Sequence, residues 1–156
     1  MNLRSAVRSD GPAVALLWRA FMDEQAALDP ASSSPASDAD ARWAVTFRDL
    51  VDDPASALLV AEADGQVVGF VVAEPHAEAP VYASVPEVYV GELYVVPEAR
   101  RHGVARALLD AVAAWAAGQG AERLRFAVLW DNAPSRRMVE AWGATPQAVT
   151  FVRAIT

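Results

Sequence analysis

The chain has 156 residues, 54% hydrophobic and 21% charged, a length and balance that predict one domain over residues 1–156 with a single core. It contains no cysteine and no lysine, which excludes disulfides, thiolate catalysis and Schiff-base chemistry, and its two histidines, His76 and His102, are too far apart to predict a metal site. Its formal net charge is −7, and without a basic stripe with interleaved aromatic residues we expect no nucleic-acid partner.

The first half of the chain predicts helices near its start and a strand pair after them. Pro12 stands near the first position of a helix, where its missing N–H is tolerated. Asp64-Gly65 separates two apolar runs and is the strongest hairpin signal in the chain, so these runs are predicted to be adjacent antiparallel strands. The predicted elements are a strand over 3–7, a helix over 13–27, a Ser/Pro loop over 29–37, a helix capped by Ser37 or Asp38 and ending before Asp53-Pro54, and strands over 57–62 and 67–72.

The second half predicts strands that alternate with helices. Apolar residues recur at helical spacing from Val104 to Trp115, and the glycines at 118 and 120 end that helix. A strand, a crossover helix and a further strand favour a parallel pair. The predicted elements are a loop over 74–86, a strand over 88–96, a helix over 103–118, a strand over 124–129, a helix over 132–142 and a last strand over 148–155. Together they predict a mixed sheet with helices on its faces.

The turn between the strand over 88–96 and the next helix concentrates positive charge in an otherwise acidic chain. It reads Arg100-Arg101-His102-Gly103-Val104-Ala105-Arg106. A helix that begins directly after such a turn presents free backbone N–H groups to an anion. Gly103 and Ala105 leave room for a ligand to approach closely, and the arginines can pair with a multiply charged anion. The turn therefore indicates a phosphate site, although an ordinary arginine-rich surface turn would have the same residues.

Three segments around this turn resemble the GNAT superfamily of N-acetyltransferases. Arg100-x-x-Gly103-x-Ala105 fits the family's acetyl-CoA loop, Gln/Arg-x-x-Gly-x-Gly/Ala. Residues 93–97 resemble its Leu-x-Val-x-Pro strand end, and residues 132–143 are similar to its Asn-x-x-Ala-x-x-x-Tyr-x-x-x-Gly segment. The resemblance implies an α+β, GNAT-like fold: a central, mostly antiparallel sheet of six to seven strands with a splayed parallel pair, flanked by about four helices.

The resemblance also implies acetyl-CoA as co-substrate, bound without a metal. In the family the fourth and fifth strands part, and the pantetheine arm pairs with the free main chain between them. By that resemblance Leu93, Tyr94 and Val95 bind pantetheine and the thioester through main-chain atoms, and Asn132 contacts the pantetheine arm. The pyrophosphate is expected on the turn, where the implied binding residues are Arg100, Arg101, His102, Gly103, Val104, Ala105 and Arg106.

Catalysis requires a group that takes a proton from the acceptor, because only a neutral amine attacks a thioester. Glu92, directly before the cofactor-binding strand end, is the candidate base, acting through water; alternatively it is a strand carboxylate facing solvent. The family's tyrosine acid corresponds to Val139, which cannot donate a proton. Tyr94 is the phenol nearest the expected thioester, while a thiol with a pKa of about 8.5 can also leave as an anion without an acid. A bulge in this strand would decide which face Glu92 and Tyr94 share.

The charge distribution predicts the kind of acceptor. Residues 1–98 hold five arginines against sixteen acidic residues, and residues 99–156 hold eight arginines against four. Asp23, Glu24 and the loop over 29–38 lie where the family shapes its acceptor pocket, so a cationic amine is favoured, although acidic residues also serve as solvated surface. Three aromatic residues line such a pocket or, alternatively, belong to the core: Trp18, Phe21 and Trp43.

The resulting hypothesis is a single-domain acyltransferase that moves an acetyl group from acetyl-CoA to a primary amine by direct attack in a ternary complex. The acceptor is a small cationic molecule or a protein or peptide N-terminus. A non-catalytic acyl-CoA-binding sensor or partner module is the alternative, and a different nucleotide-binding α/β domain is a third. Without an apolar run of about 18 residues or a signal peptide, we expect a cytoplasmic protein with no membrane partner. A homodimer is compatible with a family in which dimers are frequent.

Overall fold

The computed structural model of the protein describes residues 1–77, 85–153 and 155. Within them the chain forms five strands, four helices of nine residues or more and one single-turn helix. The strands are β1 Asn2–Ser5, β2 Ala57–Ala63, β3 Gln66–His76, β4 Glu87–Val95 and β5 Arg123–Phe126. The helices are α1 Gly11–Leu28, α2 Pro30–Ser33, α3 Ala39–Asp52, α4 Val104–Gly118 and α5 Ala133–Ala141. None of these helices is long and apolar enough to cross a bilayer.

The five strands form one mixed sheet in the order β1-β2-β3-β4-β5. The first four are antiparallel to their neighbours, and β4 and β5 are parallel, as a strand, crossover helix and strand predict. The turn between β2 and β3 has a positive φ at Asp64 (51°) and at Gly65 (77°), the backbone of a type I′ hairpin. The α+β class, the mostly antiparallel sheet and the parallel pair are therefore confirmed.

The expected count of six to seven strands is wrong for the described residues, which form five. The last predicted strand, over 148–155, is not formed by its described residues: residues 144–153 and 155 have no regular secondary structure, and those from residue 145 onward are exposed. Alternating apolar residues are typical of a strand, but a strand also needs a neighbour with which to form a ladder. No described strand pairs with this segment, so its pattern alone does not produce one.

The loop predicted over 74–86 is shorter than expected, because β3 continues through Glu74 to His76 and β4 already begins at Glu87. The middle of that loop, with Tyr82, lies outside the described residues. β3 is therefore long enough to place its last polar residues opposite the first residues of β4.

The two faces of the sheet carry separate apolar clusters. On one face, which we call the α1 face, Phe70, Val72 and Tyr94 pack in one cluster with residues of α1 and α3. On the other, the α4 face, Val71 and Val95 pack with residues of α4. Both clusters contain residues that are completely buried, and such interiors are close-packed. The centre of the sheet is thus a rigid support for the groups at the end of β4.

The aromatic residues of α1 and α3 belong largely to the core. Trp18 and Trp43 are 7% and 5% exposed, and their rings stack with centroids 4.9 Å apart. Phe21 is partly buried and meets the ring of Tyr94 edge-on at 6.5 Å. The two tryptophans therefore belong to the core and do not line a pocket, and Phe21 packs beside Tyr94, a candidate site residue.

Candidate active site

β4 and β5 separate halfway along β4. Their parallel pairing covers four residue pairs and ends with Val90 and Phe126, while β4 continues to Val95. The side of β4 that faces β5 therefore has no described strand partner over residues 91–95. This gap opens at the carboxyl end of both strands, where open α/β sheets bind ligands.

The main chain that faces the gap belongs to Leu93 and Val95. The Val96 amide donates to the Val68 carbonyl at 2.9 Å, so Val96 and every second residue before it direct their N–H and C=O groups toward β3. Tyr94 follows this rule and pairs with β3. Consequently the N–H and C=O groups of Leu93 and Val95 point to the opposite side of β4, into the gap, whereas those of Tyr94 do not.

A bulge at Gly91 decides which side chains of β4 share a face. Glu92 pairs with Val72 of β3, but Val90 pairs with the very next residue of β3, so Gly91 is the extra residue. Val90 packs on the α4 face, and unbroken alternation would direct Glu92 and Tyr94 to the same face. Because of the bulge, both lie on the α1 face instead, opposite residues of its cluster. The two candidate catalytic residues therefore share one face.

The turn before α4 has the backbone geometry of an anion site. Arg101 and Gly103 have φ of 64° and 80°, in the left-handed region that glycine adopts freely and arginine adopts at a cost. The Ala107 amide donates to the Gly103 carbonyl at 2.9 Å, so the amides of residues 104–106 precede the first intrahelical bond. A Cβ at Gly103 would meet no atom within 4 Å. Glycine is thus favoured there by its conformation, and the space beside the free amides is open.

The basic side chains of the turn differ in their surroundings. Arg101 and Arg106 are exposed next to the free amides. Arg100 instead contacts the protein itself: its Nη2 donates to Glu24 Oε1 at 2.6 Å, and its Nε donates to the Val95 carbonyl at 2.8 Å. The guanidinium of Arg100, predicted to pair with the anion, therefore ties together α1, the end of β4 and the turn.

Tyr94 is buried beside this tie. Its hydroxyl donates to Glu24 Oε1 at 3.3 Å, the same oxygen that accepts from Arg100, and the guanidinium of Arg100 lies over the ring at 5.3 Å. Burial raises the pKa of Tyr94, and the negative charge of Glu24 raises it further, while the charge of Arg100 opposes both. The phenol therefore keeps its proton at neutral pH.

Glu92 is half-buried on the α1 face, close to a second carboxylate. Burial raises the pKa of Glu92 to about 7, and the negative charge of Glu74 adds to the rise. Glu74 lies two positions after Val72 in β3 and so projects from the same face. Glu74 was not among the predicted site residues, because it belongs to the predicted loop over 74–86; strand alternation continued past Val72 places it on this face. A carboxylate with a pKa near 7 is partly ionised at neutral pH, as a general base requires.

An ion-pair cluster around the buried carboxylate of Glu87 joins β4 to β5 before they separate. The side chain of Glu87 is 2% exposed and accepts hydrogen bonds from Arg123 Nε and, at 2.6 Å, from Arg125 Nε. Burial raises the pKa of Glu87, but the hydrogen bonds from the two arginines outweigh burial and hold the pKa below its ordinary value. His76 Nε2 lies 3.7 Å from the same carboxylate. The cluster fixes the paired part of the strands, so that the gap begins at a defined residue.

Asn132 and Val139 lie on α5, which follows β5. Asn132 Oδ1 accepts a hydrogen bond from the Ser135 amide at 3.1 Å and so caps the helix, which leaves Nδ2 as the donor that the cap does not use. Val139 is half-buried at the position where the resembled family has tyrosine. Its side chain has no proton to donate, so α5 supplies no acid at this position.

Comparison with known proteins identifies the same family as the sequence motifs. Residues 16–144 match the model of the acetyltransferase (GNAT) family. The uncharacterized N-acetyltransferase YhfO of Bacillus subtilis (strain 168) is 28% identical over 147 residues, which cover 92% of this chain and 89% of that protein.

Solved structures share the fold over the whole chain. A mutant of the BH1408 protein of Bacillus halodurans superposes with a TM-score of 0.87 at 17% identity, covering 100% of both chains. The aminoglycoside antibiotic 6′-N-acetyltransferase AAC(6′)-IG of Acinetobacter haemolyticus does so with a TM-score of 0.76 at 21% identity, again covering 100% of both chains. AAC(6′)-Iy bound to the bisubstrate analogue CoA-S-monomethyl-acetylneamine gives 0.74 at 23% identity, covering 99% and 98%. With the family model matching most of its length, the chain belongs to the GNAT family and is a GNAT-type N-acetyltransferase.

Proposed function

We propose that the protein transfers an acetyl group from acetyl-CoA to a primary amine by direct attack in a ternary complex, and that the amine belongs to a small cationic molecule or to a protein or peptide N-terminus. The observation that carries the proposal is the gap between β4 and β5 after Val90, together with the free amides at the start of α4. A long thioester arm that is attached to a pyrophosphate needs both features, a slot with open main chain and an anion site.

The residues present fit acetyl-CoA. Leu93 would hold the pantetheine arm through its N–H and C=O groups, and Val95 through its N–H, since the Val95 carbonyl already accepts from Arg100 Nε. Asn132 Nδ2 would donate to the arm from the start of α5. The amides of residues 104–106 would hold the pyrophosphate. Tyr94 contributes its side chain, because its main chain faces β3. The residues of the turn that supply charge or main chain are Arg100, Arg101, His102, Gly103, Val104, Ala105 and Arg106.

Glu92 and Tyr94 divide the proton transfers between them. Glu92, with its pKa raised to about 7, accepts a proton from the ammonium form of the acceptor through a water molecule. The neutral nitrogen forms a bond to the acyl carbon, the carbon–sulfur bond breaks with its electron pair on sulfur, and the nitrogen releases its surplus proton to solvent. Tyr94, which is protonated at neutral pH, breaks the hydrogen bond from its hydroxyl to Glu24 Oε1, donates that proton to the sulfur and regains one from solvent.

The charge of the α1 face favours a cationic acceptor. Glu74 is exposed on this face, and Glu92 is half-buried close to it. The charge of Glu24 is offset by Arg100, with which it pairs at 2.6 Å. Carboxylates grouped on one side of a site raise the local concentration of cations. The aminoglycoside acetyltransferases that share this fold support the same class of acceptor.

The test mixes the pure protein with acetyl-CoA and a panel of primary amines, and measures free CoA with a thiol reagent. We expect thiol release with cationic acceptors such as an aminoglycoside, a polyamine or a peptide with a free N-terminus, and none with the same molecules N-acetylated beforehand. Saturable CoA binding without thiol release across the panel would contradict the proposal. Tyr94→Phe in the same assay measures the contribution of the phenol, and an unchanged rate would remove Tyr94 as the acid.

Glu74→Gln is expected to shift the pH dependence of the reaction without abolishing it. The negative charge of Glu74 opposes ionisation of Glu92, so its removal lowers the pKa of Glu92. We expect the acid limb of kcat, measured across the neutral range at saturating substrates, to move down by about half a pH unit, or about 0.7 kcal/mol. Glu140→Gln removes an exposed carboxylate from α5 and serves as the control with an unshifted profile. If Glu74→Gln gave the wild-type profile, Glu74 would have no influence on the base.

A further inference from the structure

In the proposed reaction, Tyr94 has to regain a proton after each turnover, yet its side chain is enclosed. Tyr94 is 6% exposed and packs in the apolar cluster on the α1 face, where Phe21 meets its ring edge-on. Burial disfavours the charged form of a phenol, so the phenolate that remains after proton donation is unstable in these surroundings. The returning proton therefore needs a polar route to the hydroxyl oxygen.

Two charged side chains lie beside Tyr94. Glu24 Oε1 accepts a hydrogen bond from the hydroxyl at 3.3 Å, and the guanidinium of Arg100 lies over the ring at 5.3 Å. Of these two neighbours only the carboxylate can take up and release a proton, because a guanidinium stays protonated in proteins. Glu24 is therefore the charged neighbour that can exchange a proton with the phenol.

Glu24 also reaches solvent, which the phenol does not. Its side chain is 49% exposed. Arg100 Nη2 donates to Glu24 Oε1 at 2.6 Å while Arg100 Nε donates to the Val95 carbonyl at 2.8 Å, so the carboxylate is held in a defined position. The O–O distance of 3.3 Å between Tyr94 and Glu24 is longer than that of a strong O–H···O bond, which leaves the hydroxyl free to turn toward a substrate. Glu24 thus connects a buried proton donor to the surface.

We propose that Glu24 is a positioning residue that orients the Tyr94 hydroxyl and returns its proton from solvent; this inference rests on the proposed role of Tyr94 as the acid. After the O–H bond of Tyr94 breaks and its proton binds to the sulfur, a proton from hydronium or a buffer acid binds to the Glu24 carboxylate. The carboxyl O–H bond then breaks and its proton binds to the phenolate oxygen, which restores both groups. Between these steps Arg100 stabilises the phenolate, because its positive charge lies over the ring.

Glu24→Gln tests this relay, because glutamine keeps an oxygen for the hydroxyl but does not carry a proton to it. We expect kcat at saturating acetyl-CoA and acceptor to fall about tenfold, less than the effect of about 100-fold or more that a general acid itself provides. Since Glu24 acts through the phenol, the substitution should have no further effect in Tyr94→Phe. Glu98→Gln changes another exposed carboxylate, two residues before Arg100, and should keep the wild-type kcat.

The outcomes separate the relay from the acid. A wild-type kcat in Glu24→Gln, or additive losses in the double variant, would overturn the relay and leave Tyr94 as the acid. A wild-type kcat in Tyr94→Phe alone would remove the acid, and the relay with it. Thermal unfolding and titration with CoA establish that each variant is folded and binds the co-substrate.

Chemical rescue separates proton transfer from charge. Glu24→Ala removes the carboxylate and leaves space for a small one, so formate at fixed pH and ionic strength is expected to raise the kcat of this variant severalfold. Chloride supplies the same negative charge but carries no proton, and it should leave kcat unchanged. Wild type and the double variant Glu24→Ala, Tyr94→Phe should not respond to formate. Equal responses of Glu24→Ala to formate and chloride would show that Glu24 supplies only charge or packing, and would overturn the proposal.

Discussion

Glu92→Gln is expected to lower kcat by about 1,000-fold at neutral pH, because a general base contributes about 100-fold to 10,000-fold and glutamine cannot accept the proton. The wild-type rate should rise with pH and level off above about pH 7, the pKa to which burial raises Glu92. The variant should lack this inflection and retain only the rise that belongs to the amine itself. Steady-state rates at saturating acetyl-CoA and acceptor, measured across the neutral range, check both features.

The thermal stability of Glu92→Gln provides a second, independent measurement. The pKa of Glu92 is about 7 in the folded protein and about 4.5 in the unfolded chain. The stability that Glu92 contributes is therefore fully present below about pH 4.5 and is lost as the pH rises through about 7. Glu92→Gln should therefore have a higher Tm than the wild type at pH 8 and a similar Tm at pH 4. A variant with wild-type rates and an unchanged pH profile would remove Glu92 as the base, whatever its stability.

Gly103→Glu is expected to weaken CoA binding by at least about 100-fold, or about 2.7 kcal/mol. The added side chain fills the open space beside the amides of residues 104–106, and its carboxylate repels the pyrophosphate. It also imposes a left-handed backbone on glutamate, at a cost of about 1 kcal/mol or more in stability. Titration calorimetry with CoA measures the affinity, and thermal unfolding measures the strain.

Gly120→Glu is the matched control for this variant. Gly120 follows the other end of α4, has the same φ of 80° and likewise has no atom within 4 Å of the position of a Cβ. Its substitution therefore brings the same charge and the same backbone strain, without placing either at the free amides. We expect a similar fall in Tm and unchanged affinity for CoA. Equal loss of affinity in both variants would show that strain, and not the turn, controls binding.

The turn before α4 was predictable because its signals are local. Its signals lie close together in the sequence: the glycine at 103, the small residue at 105 and the helical spacing after them. The structure places the turn and the start of α4 at these residues. The Asp64-Gly65 hairpin was predictable for the same reason. Local signals of this kind depend on backbone conformations that only a few residue types adopt.

The surroundings of the catalytic candidates were not predictable, because they depend on pairing between distant segments. The face of Glu92 and Tyr94 follows from the register of β4 against β3, which shows the extra residue only once the strands are aligned. The contact between Arg100 and Glu24 joins residues 76 positions apart. The last predicted strand failed for a related reason: its composition was right, but composition does not supply a neighbouring strand.

The bulge at Gly91 also makes the register of β4 a part of the candidate site. If Gly91 took a place in the ladder instead of bulging out, every later side chain of the strand would change face. Glu92 would then lie beneath α4, and the apolar side chain of Leu93 would take its place toward the proposed acceptor. The proposed reaction would lose its candidate base without the substitution of either candidate catalytic residue. One unpaired glycine is therefore as much a part of the candidate site as the side chains that it orients.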